Sequence, residues 1–149
     1  MRRSASLVLI LLLPGALFAQ NRRPRVEYLT PSYTQGQNLP FSEAVRVGRL
    51  LYLSGQIGLD GSGKVVIGGI AAETRQAMEN IRAALEKHGS SLDRVIKVTV
   101  MLADMSEWGE MNEAYVPFFK KHLPARSAFG ATGLALGARV EIECTAVIE

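Results

Sequence analysis

The sequence predicts an α+β domain in which a mixed β-sheet carries two helices packed on one face. Two observations lead to this prediction. The 149 residues are enough for one hydrophobic core and too few for two, and 48% hydrophobic with 21% charged residues is typical of a globular chain. After residue 40, apolar residues follow strand and helix periods in the order β-β-α-β-α-β-β.

The first 19 residues have the pattern of a secretory signal peptide. Arg2 and Arg3 precede an apolar run over residues 7–18, shorter than the roughly 20 residues that a membrane-spanning helix requires. We expect cleavage near Ala19, a periplasmic or secreted mature protein, and no stable membrane insertion after cleavage. An uncleaved membrane anchor is the alternative.

Residues 20–39 predict an extended lead-in, because prolines and glycine interrupt them. The folded domain then spans residues 40–149 and opens with a hairpin. Its strands, at 44–47 and 50–53, are joined by Gly48 and Arg49, where glycine supplies the positive φ of a tight turn.

The next two elements are a helix and a strand. From Ile70 to Leu85 apolar residues recur every three or four positions, while charged residues form i,i+4 pairs on the opposite face. Gly89 is the expected end of this amphipathic helix. Residues 95–102 predict a strand, because β-branched residues dominate them.

The last three elements are a second helix and two strands. Asp104 or Ser106 can cap the helix, and Pro117 should kink or shorten it. Strands at about 125–132 and 139–148 follow. The apolar side of the helix is predicted to be core rather than a ligand site; it carries Trp108, Met111, Tyr115, Phe118 and Phe119.

With both helices on one sheet face, the other face needs cover. Its partly apolar character is indicated by Leu51, Leu53, Val98 and Val100. A face of this kind is commonly buried between identical subunits, so the sequence indicates a homo-oligomer.

Charge and residue counts exclude several classes of partner and site. Losing Arg2 and Arg3 lowers the net charge from +3 to +1, and no basic run with interleaved aromatics indicates a nucleic-acid partner. Cys144 is the only cysteine, so no intrachain disulfide can form. His88 and His122, the only histidines, are not at metal-ligand spacing.

Six segments together resemble the Rid family of enamine/imine deaminases. The match covers the chain in order from about residue 38 to the C-terminus. Its segments are LYLSGQIG (51–58), ETRQAMENIRAAL (73–85), VIKVTVMLADM (95–105), MNEAYVPFF (111–119), PARSA (124–128) and VEIECTAV (140–147).

The resemblance implies a homotrimer of chorismate-mutase-like subunits with three active sites in the clefts between neighbours. It also implies hydrolysis of reactive 2-imino acids, such as 2-iminopropanoate and 2-iminobutanoate, or of their enamine tautomers. The products would be 2-oxo acids and ammonia, with neither a metal nor an organic cofactor. A non-catalytic trimeric binder or chaperone-like protein of the same fold is the alternative.

By position, the resemblance places the carboxylate-binding arginine at Arg126 and the water-handling glutamate at Glu141. It places three substrate-binding residues at Ser54, Gly55 and Asn112. The chain departs from the family pattern at two further cleft positions. Phe41 stands where a tyrosine is frequent, and Ala128 stands where a cysteine is frequent, so a hydroxyl and a thiol are lost.

The two predicted catalytic residues suit the chemistry of a 2-imino acid. The planar fork of Arg126 can donate two parallel hydrogen bonds to a carboxylate. Glu141 can take a proton from water, and a nearby Arg126 would favour its ionised form. From the residues alone, Arg126 could equally pair with an acid across a subunit boundary, and Glu141 with Glu143 could line a solvated strand edge.

Overall fold

The computed structural model of the chain describes residues 24–30 and 39–148. The predicted signal peptide, at 1–19, lies outside the described residues. In the described part no helix is long and apolar enough to cross a membrane. The strands are β1 (Val26–Leu29), β2 (Ala44–Val47), β3 (Leu50–Ile57), β4 (Val95–Leu102), β5 (Ala125–Gly130) and β6 (Val140–Val147), and the helices are α1 (Gly69–Lys87) and α2 (Trp108–Tyr115).

The six strands form one sheet in the order β1-β2-β3-β6-β4-β5. β4 and β5 pair in parallel, and all the other neighbours pair antiparallel. Helix α1 packs against β3 and β6, and α2 packs against α1. The predicted α+β fold, a mixed sheet with two helices on one face, is confirmed.

Strand β1 is an element that the sequence analysis did not predict. It pairs with β2, with Val26 opposite Val47 and Leu29 opposite Ala44. The prolines of the lead-in suggested an extended segment without packing, yet Val26–Leu29 is free of proline and can donate to the edge of β2. Part of residues 20–39 therefore belongs to the sheet.

The face of the sheet that the helices cover contains the four residues expected on the opposite face. Leu51, Leu53, Val98 and Val100 are at most 4% exposed and belong to the core. That expectation was wrong. We call the other side the open face; it is still partly apolar, because Tyr52 and Phe129 lie there at 44% and 49% exposure.

Several boundaries differ from prediction for local reasons. Strand β3 continues through the polar residues after Leu53 to Ile57, and β5 ends at Gly130. Helix α2 stops at Tyr115, and a 3-10 turn containing Pro117 follows it, as the predicted shortening requires.

The start of α2 is preceded by another 3-10 turn. The carboxylate of Asp104 accepts a hydrogen bond from the backbone N–H of Ser106 at 2.8 Å and so caps this turn. Helix α2 itself follows Glu107 and has no side-chain cap, so neither Asp104 nor Ser106 caps it directly. Of the predicted apolar stripe, Met111 and Tyr115 are buried, whereas Trp108 is 44% exposed and lies outside the core.

Candidate active site

Glu141 lies in β6 on the open face of the sheet. It is directly opposite Met101 of β4 and Ile57 of β3. Its carboxylate packs against the backbone of Gly55: a Cβ atom built on Gly55 would lie 1.9 Å from Oε1 of Glu141. The absence of a side chain at Gly55 is therefore what leaves room for this carboxylate.

Ser54 precedes Gly55 at an irregular part of β3. The regular pairing of β3 with β6 is interrupted between Leu53 and Gln56. The hydroxyl of Ser54 donates to the backbone carbonyl of Ser42 at 2.7 Å, so its proton is already engaged. We call Glu141, Gly55 and Ser54 the Glu141 half-site. Phe41, next to Ser42 in the chain, is 50% exposed.

Burial raises the pKa of the Glu141 carboxyl above its ordinary value, and the negative charge of Glu143 raises it further. This direction is opposite to the one expected from a neighbouring arginine. Within one subunit, the surroundings of Glu141 therefore favour the protonated form of its carboxyl group more than water does.

Arg126 lies in the edge strand β5, with its side chain on the helix-covered side of the sheet, opposite Val98 of β4. The guanidinium carbon is 4.8 Å from the ring centre of Tyr115 and 6.0 Å from that of Trp108. Contacts of a cation with the faces of two rings hold the guanidinium group in place.

Asn112 lies on the same side of α2 as Trp108 and Tyr115, since the three are four and three residues apart. The buried oxygen Oδ1 of Asn112 has no hydrogen-bond partner in the described part of the chain. Burial raises the pKa of Tyr115 to about 12, and the charge of Arg126 opposes that effect. We call Arg126, Asn112, Tyr115 and Trp108 the Arg126 half-site.

Trp108 and Tyr115 are residues that the sequence analysis assigned to the core. Trp108 and Tyr115 lie at helical spacing from Asn112. Because Asn112 was assigned to the same cleft as Arg126, this spacing could have placed both rings there as well. Ala128 lies two residues after Arg126 on the same side of β5, half-buried and packed against the core.

One subunit does not bring the two half-sites together. Arg126 shares a sheet side with Val98, while Glu141 shares the opposite side with Met101. Two cavities, of about 410 and 400 Å³, are present among the described residues, but neither is lined by Arg126 or Glu141. Within one copy, Arg126 and Glu141 therefore lie on opposite sides of the sheet and line neither of these cavities.

Two other kinds of chemistry find no support in the described residues. They contain no group of three or more His, Cys, Asp or Glu residues placed to hold a metal ion. The only thiol, that of Cys144, is buried, and burial raises its pKa to about 12. Such a thiol is a poor nucleophile near neutral pH.

Comparison with known proteins finds a matching family and several similar proteins. Residues 35–148 match the family model described as Endoribonuclease L-PSP. The chain is 47% identical over 109 residues to the mouse (Mus musculus) 2-iminobutanoate/2-iminopropanoate deaminase, covering 72% of this chain and 81% of the mouse protein. It is 44% identical over 109 residues to the human (Homo sapiens) deaminase of the same name, covering 72% of this chain and 80% of the human protein.

Solved structures give the same result for the fold. The crystal structure of yeast YEO7 is similar with a TM-score of 0.78 and 36% identity, over 84% of this chain and all of that one. RidA from an Antarctic Psychrobacter is similar with a TM-score of 0.74 and 34% identity, over 82% of this chain and 99% of that one.

Proposed function

Because this chain belongs to the Endoribonuclease L-PSP family, also called the Rid family, we propose that it is a hydrolytic deaminase of small 2-imino acids. Its substrates would be 2-iminopropanoate, 2-iminobutanoate or their enamine tautomers, and its products a 2-oxo acid and ammonia. The observation that carries this proposal is the 47% identity to a deaminase across 72% of the chain.

The active site of the proposed enzyme forms between subunits of a homotrimer. This arrangement is supported by the position of Arg126 in an edge strand and of Glu141 on the open face, which point away from each other in one copy. Packing the edge of one copy over the open face of the next brings an Arg126 to a Glu141 and covers exposed Tyr52 and Phe129.

Arg126 binds the carboxylate of the substrate in this mechanism. Its fork donates two charge-assisted hydrogen bonds, and the guanidinium carbon lies 4.8 and 6.0 Å from the ring centres of Tyr115 and Trp108. The buried acceptor Oδ1 of Asn112 lies on the same side of α2 and is available to an N–H group of the ligand. Together they orient the C=N bond for attack.

Glu141 handles the water. Its carboxylate takes a proton as the water oxygen bonds to the imine carbon, and it then delivers a proton to nitrogen. Glu141 then carries the hydroxyl proton of the resulting carbinolamine to its amino nitrogen, and the C–N bond breaks as the C=O bond forms, so that ammonia leaves. Proton transfer of this kind contributes about 10² to 10⁴-fold in rate, so no metal or organic cofactor is required by the proposal.

A second candidate is a non-catalytic trimeric binder or chaperone-like protein. Phe41 and Ala128 favour it, because they leave the cleft without the hydroxyl and thiol that the resemblance associates with those positions. The family description names an endoribonuclease as well, so RNA cleavage belongs in the same test.

The test generates 2-iminopropanoate or 2-iminobutanoate in situ and follows its decay with and without the protein. We expect the wild type to accelerate decay, and we expect Arg126→Ala and Glu141→Ala each to lose about 10²-fold or more. Decay at the buffer rate with wild-type protein would refute the deaminase, and ligand binding without turnover would favour the binder. RNA incubated alongside should stay intact.

The location of the mature protein outside the cytoplasm is a further part of the proposal. It depends on the signal-peptide pattern of residues 1–19. Cell fractionation with N-terminal sequencing should find a mature chain starting near residue 20 in the periplasm or medium, and full-length chain in the membrane fraction would contradict it.

A further inference from the structure

Glu43 is a buried carboxylate close to the Glu141 half-site in the fold. Its side chain is 6% exposed, and its Oε2 atom accepts from Nζ of Lys87 at 2.5 Å and lies 2.8 Å from Nε2 of His88. Burying a charge is costly unless it is paired, so this carboxylate is held by the end of α1.

The backbone of the same residue holds strand β3. The N–H of Ser54 donates to the carbonyl of Glu43 at 3.0 Å, and the hydroxyl of Ser54 donates to the carbonyl of Ser42 at 2.7 Å. The N–H of Glu43 donates to Leu29 of β1 at 2.8 Å. The N–H and the hydroxyl of Ser54 therefore both donate to backbone carbonyls of residues 42 and 43.

This attachment matters because the sheet itself is irregular at that point. Between Leu53 and Gln56 the regular register of β3 with β6 is lost, so residues 42 and 43 supply the bonds that hold Ser54. Gly55 follows directly, and the carboxylate of Glu141 rests on it. A shift of this backbone moves the surface on which Glu141 is seated.

We propose that Glu43, clamped by Lys87 and His88, is a positioning residue that fixes Ser54 and Gly55 and thereby places Glu141. The proposal rests on the proposed function, since it assigns a catalytic consequence to that placement. Glu43 touches neither the substrate nor the reacting atoms; it connects the end of α1 to one half of the active site.

Kinetics of three variants test the catalytic part. Glu43→Ala should lower kcat about 10-fold, since displacing a catalytic group by a fraction of an ångström is costly. Glu43→Gln keeps an oxygen acceptor for Lys87 and His88 and should retain most of kcat. Ile81→Val, in the buried core of α1, controls for lost stability.

Hydrogen exchange tests the structural part without relying on activity. In Glu43→Ala the Ser54 amide should exchange at least about 10-fold faster than in Ile81→Val, because its acceptor is no longer anchored. Equal exchange in the two variants, or a kcat for Glu43→Ala equal to that of Ile81→Val, would overturn the proposal. A wild type that leaves imine decay unchanged would instead overturn the proposed function and the catalytic part, and the exchange rates would still decide whether Glu43 fixes Ser54.

Discussion

At the scale of single residues, the proposed catalytic base is the carboxylate of Glu141. Burial is the main cause of its raised pKa, and the charge of Glu143, two residues along β6 on the same face, is the second. A base must be ionised to accept a proton from water. The rate of the proposed reaction should therefore fall as the pH drops through the raised pKa of Glu141.

This sign leads to a prediction for Glu143→Gln. Removing the charge of Glu143 lowers the pKa of Glu141 toward its ordinary value, so the acidic limb of the kcat/KM profile should move to lower pH. The control with the same change of charge is Glu86→Gln, because Glu86 is an exposed carboxylate of α1. The shift is measured by comparing the pH profiles of kcat/KM for the wild type, Glu143→Gln and Glu86→Gln. A limb that stays in place, or moves to higher pH, would contradict the assignment of Glu141 as the base.

At the scale of elements, α1 passes very close to the end of β3. Gly58, just after β3, lies against Glu73 in the first turns of α1: a Cβ atom there would be 2.8 Å from both Cα and the carbonyl oxygen of Glu73. Oε2 of Glu73 also accepts the N–H of Arg139 at 2.7 Å, just before β6 begins. Glu73 of α1 therefore contacts both the residue that follows β3 and the residue that precedes β6.

Gly58→Ala should therefore destabilise the fold. The added methyl group meets backbone atoms that cannot rotate away, and overpacking of this kind costs about 1–3 kcal/mol. Gly61→Ala is the matched control, because no atom lies within 4 Å of a Cβ built there; it should change stability by less than about 0.5 kcal/mol. Urea unfolding of both variants decides, and equal midpoints would refute the close contact.

The elements also show which parts of the fold the sequence could predict. Helix α1 has a sustained helical period and strand β4 is rich in β-branched residues, so their existence and type were predicted correctly. Strand β1 has only four residues between prolines and gains its structure from pairing with β2, a long-range contact that local patterns do not contain. Strand β3 was predicted too short because its last residues are mostly polar, and their strand structure also depends on pairing with a distant strand, β6.

The faces of the sheet were the least predictable feature. Alternation shows that Leu51 and Leu53 share a side, but it does not show which side a helix covers. The relation of Arg126 to Glu141 has the same limit, because it depends on the register of β5 and β6 against β4. The resemblance to a family identified both residues, and only the structure shows that they lie on opposite sides.

At the scale of the whole molecule, the proposed mechanism makes a single copy of the chain incomplete as an enzyme. In that mechanism the Arg126 half-site binds the carboxylate and the Glu141 half-site handles water, and in one copy the two lie on opposite sides of the sheet. Closing a ring of identical copies is the arrangement that completes every site with the same pair of surfaces. Activity is therefore expected of the assembly and not of a single copy.

Mixing two inactive variants tests this claim most directly. Arg126→Ala and Glu141→Ala subunits are combined in equal amounts by co-refolding, and imine decay is followed. If each site takes Arg126 from one copy and Glu141 from its neighbour, random mixing leaves about a quarter of the sites intact, so about a quarter of wild-type activity should return. A mixture no more active than the two variants measured separately, although mixed oligomers have formed, would contradict the account.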